Sequence, residues 1–83
     1  MRYARNPEVL WRSTSQGPVV LIPGRELPTR LGGLAAVVWE VLDEPLDLDG
    51  LRDATEAMVD GRPDLTDSLD ELRRATLVVS LPG

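Results

Sequence analysis

The sequence of 83 residues contains no cysteine, no histidine and no lysine, since all nine of its basic residues are arginine. Without cysteine the chain forms no disulfide and has no thiol nucleophile. Without histidine and lysine it lacks the commonest general base, the commonest transition-metal ligand and the amine of Schiff-base chemistry. Hydrolysis by carboxylates alone would remain, but no enclosed pair supports it. These absences predict a protein that is not an enzyme and that holds no metal or other cofactor.

Long apolar segments are missing as well. No run of ~18 apolar residues could span a membrane, and the N-terminal stretch MRYARNPEV lacks the apolar region of a signal peptide. Together with the absence of cysteine, this favours a cytoplasmic protein. The length predicts a single domain over residues 1–83.

Charge is unevenly distributed along the chain. Residues 1–32 hold five arginines and two glutamates, a net of +3, whereas residues 33–83 hold four arginines and twelve acidic residues, a net of −8. The acidic total of −5 disfavours non-specific binding of nucleic acid. The acidic residues are either a solvated helix surface or a face for a basic partner.

The longest apolar stretch, LGGLAAVVWEVL at residues 31–42, is expected to be the element around which the chain is organised. Its apolar residues recur at helical spacing in two adjacent stripes, Leu34, Val38, Val41 and Leu42 in one and Ala35, Trp39 and Leu42 in the other. A helix with two such stripes is buried on most sides, so Trp39 is expected in the core.

Three strands are predicted before this helix, at residues 8–14, 19–22 and 26–31, with residues 1–7 as a frayed lead-in. Pro28 within the third strand confines that strand to a sheet edge, so the three strands form an antiparallel meander.

The same proline predicts the polarity of the third strand. Pro28 has no N–H, so it belongs to the residues whose polar groups point away from the neighbouring strand, together with Glu26 and Arg30. The alternative is that Pro28 ends a very short strand at a bend.

Two helices are predicted after Pro45. One begins at an Asp47 cap and runs to about residue 60, and the other spans residues 64–76 with Asp64 as its cap. Residues 77–81 are expected to pack as a short extended piece. The predicted fold is α+β and winged helix-turn-helix-like, with a three-stranded antiparallel sheet followed by three helices.

Two phrases of the sequence resemble those of the PqqD family. The first is Leu31-x-Gly33-x-x-Ala36-x-x-Trp39-Glu40-x-Leu42, followed by Pro45, and the second is Asp64-Leu65, Leu69-Asp70-Glu71-Leu72 and Leu77-Val78. The resemblance covers roughly residues 7–79. The chain departs from the family at Gly32-Gly33, where many members have Asn or Ser before the first helix, and at Thr76, where many end the last helix with Gly.

The resemblance implies a RiPP recognition element, a module that binds the leader segment of a ribosomally made and later modified peptide, as in pyrroloquinoline quinone or lasso-peptide biosynthesis. The leader would add as a strand to the third strand and lie against the last helix, as exposed sheet edges permit. The implied peptide-binding residues are Arg25, Glu26, Leu27, Pro28, Thr29 and Arg30 on the strand and Leu65, Leu69, Asp70, Leu72 and Arg73 on the helix. The implied partners are the precursor leader and a modifying enzyme or leader peptidase, without nucleic acid or membrane.

Several alternatives stay open. Leu69 and Leu72 are either ligand contacts at exposed rims or ordinary core residues, and Asp70 and Arg73 either orient the ligand or are solvated. The chain as a whole could be a winged-helix DNA-binding domain, whose acidic last helix would repel phosphates, or a subunit-interaction domain without a peptide ligand. It could also form a homodimer through its sheet edge.

Overall fold

The computed structural model describes residues 1–22, 24–61 and 63–82. The elements in chain order are β1 (Arg2–Arg5), β2 (Leu10–Thr14), β3 (Gly17–Leu21), β4 (Thr29–Arg30), α1 (Gly33–Val41), α2 (Leu48–Glu56), α3 (Thr66–Arg74) and β5 (Val78–Leu81). Strands β2, β3 and β4 form an antiparallel sheet in that order. The fold is therefore α+β, with the predicted three-stranded sheet and three helices.

The apolar stripes of α1 form the centre of the core. Val38 and Trp39 are fully buried and Leu42 is nearly so, while Leu34 and Val41 are half-buried. Helix α1 packs against α2, α3 and β3. Its position between the sheet and the other two helices explains why two adjacent faces of this helix are apolar.

The prediction of a frayed N-terminus is wrong. Strand β1 pairs antiparallel with β5, with Tyr3 opposite Ser80, and forms a second sheet of two strands. Tyr3 also exchanges backbone hydrogen bonds with Leu46, at 2.7 and 3.0 Å. The expected extended piece after α3 is therefore a strand, and its partner is the opposite end of the chain.

The predicted second and third helices are present but shorter. The Asp47 carboxylate accepts a hydrogen bond from the Gly50 N–H at 2.7 Å and caps α2 as predicted. Asp64 lies one residue before the N-cap position of α3, and its carboxylate accepts from the Thr66 N–H at 2.9 Å. This hydrogen bond holds the pKa of Asp64 below its usual range.

Thr76 follows Ala75, the C-cap residue of α3, and has a left-handed conformation with a φ of 62°. A β-branched residue is strained there by about 1–2 kcal/mol, whereas glycine is not strained but loses about 0.5–1 kcal/mol of chain entropy. We expect Thr76→Gly to stabilise the fold by roughly 0.5–1 kcal/mol, measured as a higher midpoint of urea unfolding. Ala75→Gly is the matched control, because Ala75 has a φ of −79° and its replacement should only destabilise. A lower midpoint of urea unfolding for Thr76→Gly would contradict the strained left-handed conformation of Thr76.

Candidate functional site

The β4 edge of the three-stranded sheet is the first candidate surface. Within the described residues β4 pairs on one side only, with Val19 opposite Arg30 and Val20 opposite Thr29. The Leu31 N–H donates to the Pro18 carbonyl oxygen at 2.9 Å. Because backbone polar groups alternate in direction along an antiparallel strand, the N–H and C=O of Arg30 point away from β3.

The segment before β4 differs from its prediction. Strand β4 comprises Thr29 and Arg30 only, so Glu26 and Leu27 lie in a bend and Pro28 immediately precedes the strand. The prediction of a strand over residues 26–31 is wrong, and Glu26 does not belong to the ladder. The alternative of a very short strand bounded by Pro28 describes the structure better.

A shallow depression of about 420 Å³ lies along this segment. It is lined by Arg25, Glu26, Leu27, Pro28 and Thr29. Leu27 is 78 % exposed and is the most exposed of the large apolar residues described. Five of the six strand residues predicted to bind the peptide therefore share one surface, and the sixth, Arg30, follows them on the open edge of β4.

The helix part of that site is largely core. Leu65, Leu69 and Leu72 are 3, 5 and 2 % exposed, because their spacing places all three on the inward stripe of α3. The expected apolar contact through exposed rims of Leu69 and Leu72 is therefore not available in this structure.

Asp70 and Arg73 are exposed but do not line the β4 depression described above. They line a different groove, of about 550 Å³, between α3 and β5. The Arg73 guanidinium also lies 5.9 Å from the ring centre of Tyr3 in β1. The β1–β5 pairing, which the sequence did not reveal, gives α3 this neighbour.

A second surface is the outer face of the three-stranded sheet, which sequence reasoning did not identify as a site. A groove of about 440 Å³ runs along the sheet, and its lining combines the inward residues Trp11 and Val20 with residues of the outer face, namely Leu10, Arg12, Thr14, Val19, Leu21 and Pro28. Leu10 is 68 % exposed, and every residue of β2 is exposed. The alternation in residues 8–14 could have indicated this surface, because it places Leu10 and Arg12 on the face opposite Val9 and Trp11.

The opposite side of the sheet holds a cluster of one arginine and two tryptophans. The Arg5 guanidinium lies 4.5 Å from the Trp11 ring centre and 5.2 Å from that of Trp39. It also donates to the carbonyl oxygens of Trp39, at 2.8 Å, and Glu40, at 3.2 Å, at the end of α1. Burial lowers the pKa of Arg5, and the charges of Asp43 and Glu40 oppose this. Because the guanidinium of Arg5, the one cation of this cluster, is engaged within the fold, we assign the cluster a structural role.

Two further classes of site are absent from the described residues. Residues 1–22, 24–61 and 63–82 contain no group of three or more acidic side chains placed to hold a metal ion. No helix within those same ranges has the length and apolar character needed to cross a membrane.

Comparison of the chain with models of known protein families, with curated proteins and with solved structures found no match in any of the three.

Proposed function

We propose that this protein binds the leader segment of a ribosomally made precursor peptide and presents it to a modifying enzyme or a leader peptidase. The leader adds to the open edge of β4 as an antiparallel strand. The proposal rests on the resemblance to the PqqD family in residues 31–45 and 64–78 and on the geometry of that edge.

One observation carries the proposal. The hydrogen bond from Leu31 to Pro18 sets the direction of the backbone groups in β4, so Arg30 has both a donor and an acceptor available to an added strand. Pro28, two residues earlier, offers an acceptor but no donor. An added peptide therefore exchanges a pair of backbone hydrogen bonds with Arg30 and donates one to Pro28 if the segment straightens on binding.

The short strand limits how much the backbone contributes to binding. Strand addition supplies affinity through main-chain hydrogen bonds and specificity through contacts of alternate side chains. Arg30 is the one residue of β4 that presents both its backbone N–H and its C=O to an added strand. Side-chain contacts must therefore contribute a large share of the affinity. The depression along residues 25–29 and the outer face of the sheet are the neighbouring surfaces that can make them.

The proline and the arginine at this edge also act against pairing between copies of the chain. An exposed edge is a template for self-association, and edge prolines and charged side chains are two ways in which proteins prevent it. Two copies pairing through β4 would bring two Arg30 side chains close together and leave the carbonyl opposite Pro28 without a donor. A flexible peptide can approach the same edge without that repulsion.

Amide exchange measured by NMR tests the proposal. We expect the Arg30 amide to exchange at least tenfold more slowly in the presence of the cognate leader, because the leader accepts its hydrogen bond. The Thr29 amide is the internal control, since it faces β3 and is already bonded there. Equal exchange of the Arg30 amide with and without saturating leader would show that the peptide does not pair at β4.

A further inference from the structure

The outer face of the three-stranded sheet is organised in rows that cross all of its strands. Strand pairing places Arg12 opposite Val19 and Val19 opposite Arg30, so these three side chains form one row on the outer face. Leu10 lies opposite Leu21, and Pro28 follows next to Leu21 at the edge, forming a second row that is apolar. The outer face therefore presents a row with two cations and, two residues along each strand, an apolar row.

The cations of the first row are not neutralised within the fold. Neither Arg12 nor Arg30 forms an ion pair with a carboxylate among the residues that the structure describes. The Arg30 guanidinium donates to the side-chain oxygen of Gln16, which is a neutral partner. Both arginines are exposed, so a carboxylate brought to the β4 edge meets an uncompensated positive charge.

The side chains of the apolar row are also wholly or partly exposed to solvent. Leu10 is 68 % exposed, Leu21 is half-buried and Pro28 is exposed. Leu10, Leu21 and Pro28 line the same groove of about 440 Å³. An apolar side chain that enters at the edge beside Pro28 would be removed from water against this row.

We propose that the peptide strand bound at β4 carries an acidic residue opposite Arg30 and an apolar residue two positions closer to its C-terminus, opposite Pro28. This inference rests on the proposed function and specifies the register and chemistry of its ligand. An added antiparallel strand continues each row, because directly opposite residues point to the same face of a sheet. Since the strand runs against β4, the residue opposite Pro28 comes after the residue opposite Arg30.

The chemistry at the two positions follows from cross-strand pairing. Opposite charges directly across from each other stabilise an antiparallel pair, and like charges destabilise it. Glutamate opposite Arg30 is therefore favoured and lysine is disfavoured. The intervening residue of the peptide points to the inner face and is not constrained by either row.

The probes are four blocked synthetic peptides of about ten residues with a shared Thr/Val frame. They differ at two positions separated by one residue, which carry Glu then Leu, Lys then Leu, Glu then Lys, or Leu then Glu. In NMR titrations of the whole protein we expect the Glu-then-Leu peptide to bind about fivefold more tightly than the Lys-then-Leu peptide. The reversed Leu-then-Glu peptide should also bind more weakly, which separates register from composition.

Substitutions at the edge provide the matched test on the protein side. Arg30→Glu should invert the preference between the Glu and Lys peptides, and Arg30→Gln should abolish it. Arg12→Glu is the control, because Arg12 lies in the same row but β4 and β3 both lie between it and the bound peptide. It removes the same charge from the same face, and its effect on the preference should be clearly smaller.

The outcomes separate this inference from the proposed function. Slower exchange of the Arg30 amide with all four peptides, at equal affinities, would overturn the acidic and apolar register while leaving strand addition at β4 intact. Unchanged exchange of that amide with every peptide would overturn both. Equal effects of Arg12→Glu and Arg30→Glu would show that only the net charge of the face matters, which also contradicts the register.

Discussion

Replacing Trp39 with alanine is expected to lower the free energy of unfolding by about 3–5 kcal/mol. The ring of Trp39 is fully buried at the centre of α1 and packs edge-on against Trp11, with ring centres 5.7 Å apart. Its removal loses the burial of a large apolar surface and leaves a cavity beneath the Arg5 guanidinium. In a domain of this size the melting temperature should fall by about 12 °C or more, measured by circular dichroism.

Two control substitutions separate burial from other effects of the indole. Trp11→Ala removes the same side chain from a position that is 41 % exposed, and should cost clearly less. Trp39→Phe keeps most of the packing and deletes the indole N–H, which is covered and has no hydrogen-bond partner among the described residues. An unpaired buried donor costs about 1–3 kcal/mol, so the phenylalanine variant should retain most of the stability. A melting temperature unchanged in Trp39→Ala would contradict the position of this residue in the core.

Leu72→Ala is expected to destabilise the fold by about 2–5 kcal/mol. Leu72 is 2 % exposed and belongs to the same core cluster as Leu65 and Leu69. Its carbonyl oxygen also accepts the Leu77 N–H at 2.9 Å in the turn that leads to β5. Truncation therefore loosens α3 against the core at the point where the chain turns into the second sheet.

Asp70→Ala is the matched control on the same helix. Asp70 is exposed and points into the groove beside β5, so its replacement should change the melting temperature little. Comparison of Leu72→Ala with Asp70→Ala decides whether Leu72 is a core residue or a contact for the peptide. Unchanged stability of Leu72→Ala together with weaker leader binding would contradict the core position of Leu72 and identify it as a ligand contact.

Local patterns in the sequence were sufficient for the central helix and the meander. The stripes through Val38 and Trp39, the alternation in residues 8–14 and the β-branched run at residues 19–22 each report which side of an element faces the core. Such patterns arise because burial acts on every third or fourth residue of a helix and on every second residue of a strand. The α+β fold class and the order of its six predicted elements followed from them.

The ends of the elements depended on contacts that these patterns do not encode. Strand β1 forms because residues 2–5 meet β5, which lies more than seventy positions away in the sequence, and its own residues carry no strand signal. Strand β4 is short because ladder pairing with β3 begins only at Thr29. A single alternating phrase over residues 26–31 therefore overestimated the length of the edge strand.

The sequence by itself determined the central helix of the core, the lack of histidine, cysteine and lysine side chains, and which residues of β2 and β4 share a face. Only the tertiary structure decided which of those residues become neighbours. It separated Asp70 and Arg73 from the β4 depression by giving α3 the β1–β5 sheet as a neighbour, and it aligned Arg12 with Arg30 across β3. The physical reason is that side-chain periodicity is a local property of the backbone, whereas strand register is set by hydrogen bonds between segments distant in sequence.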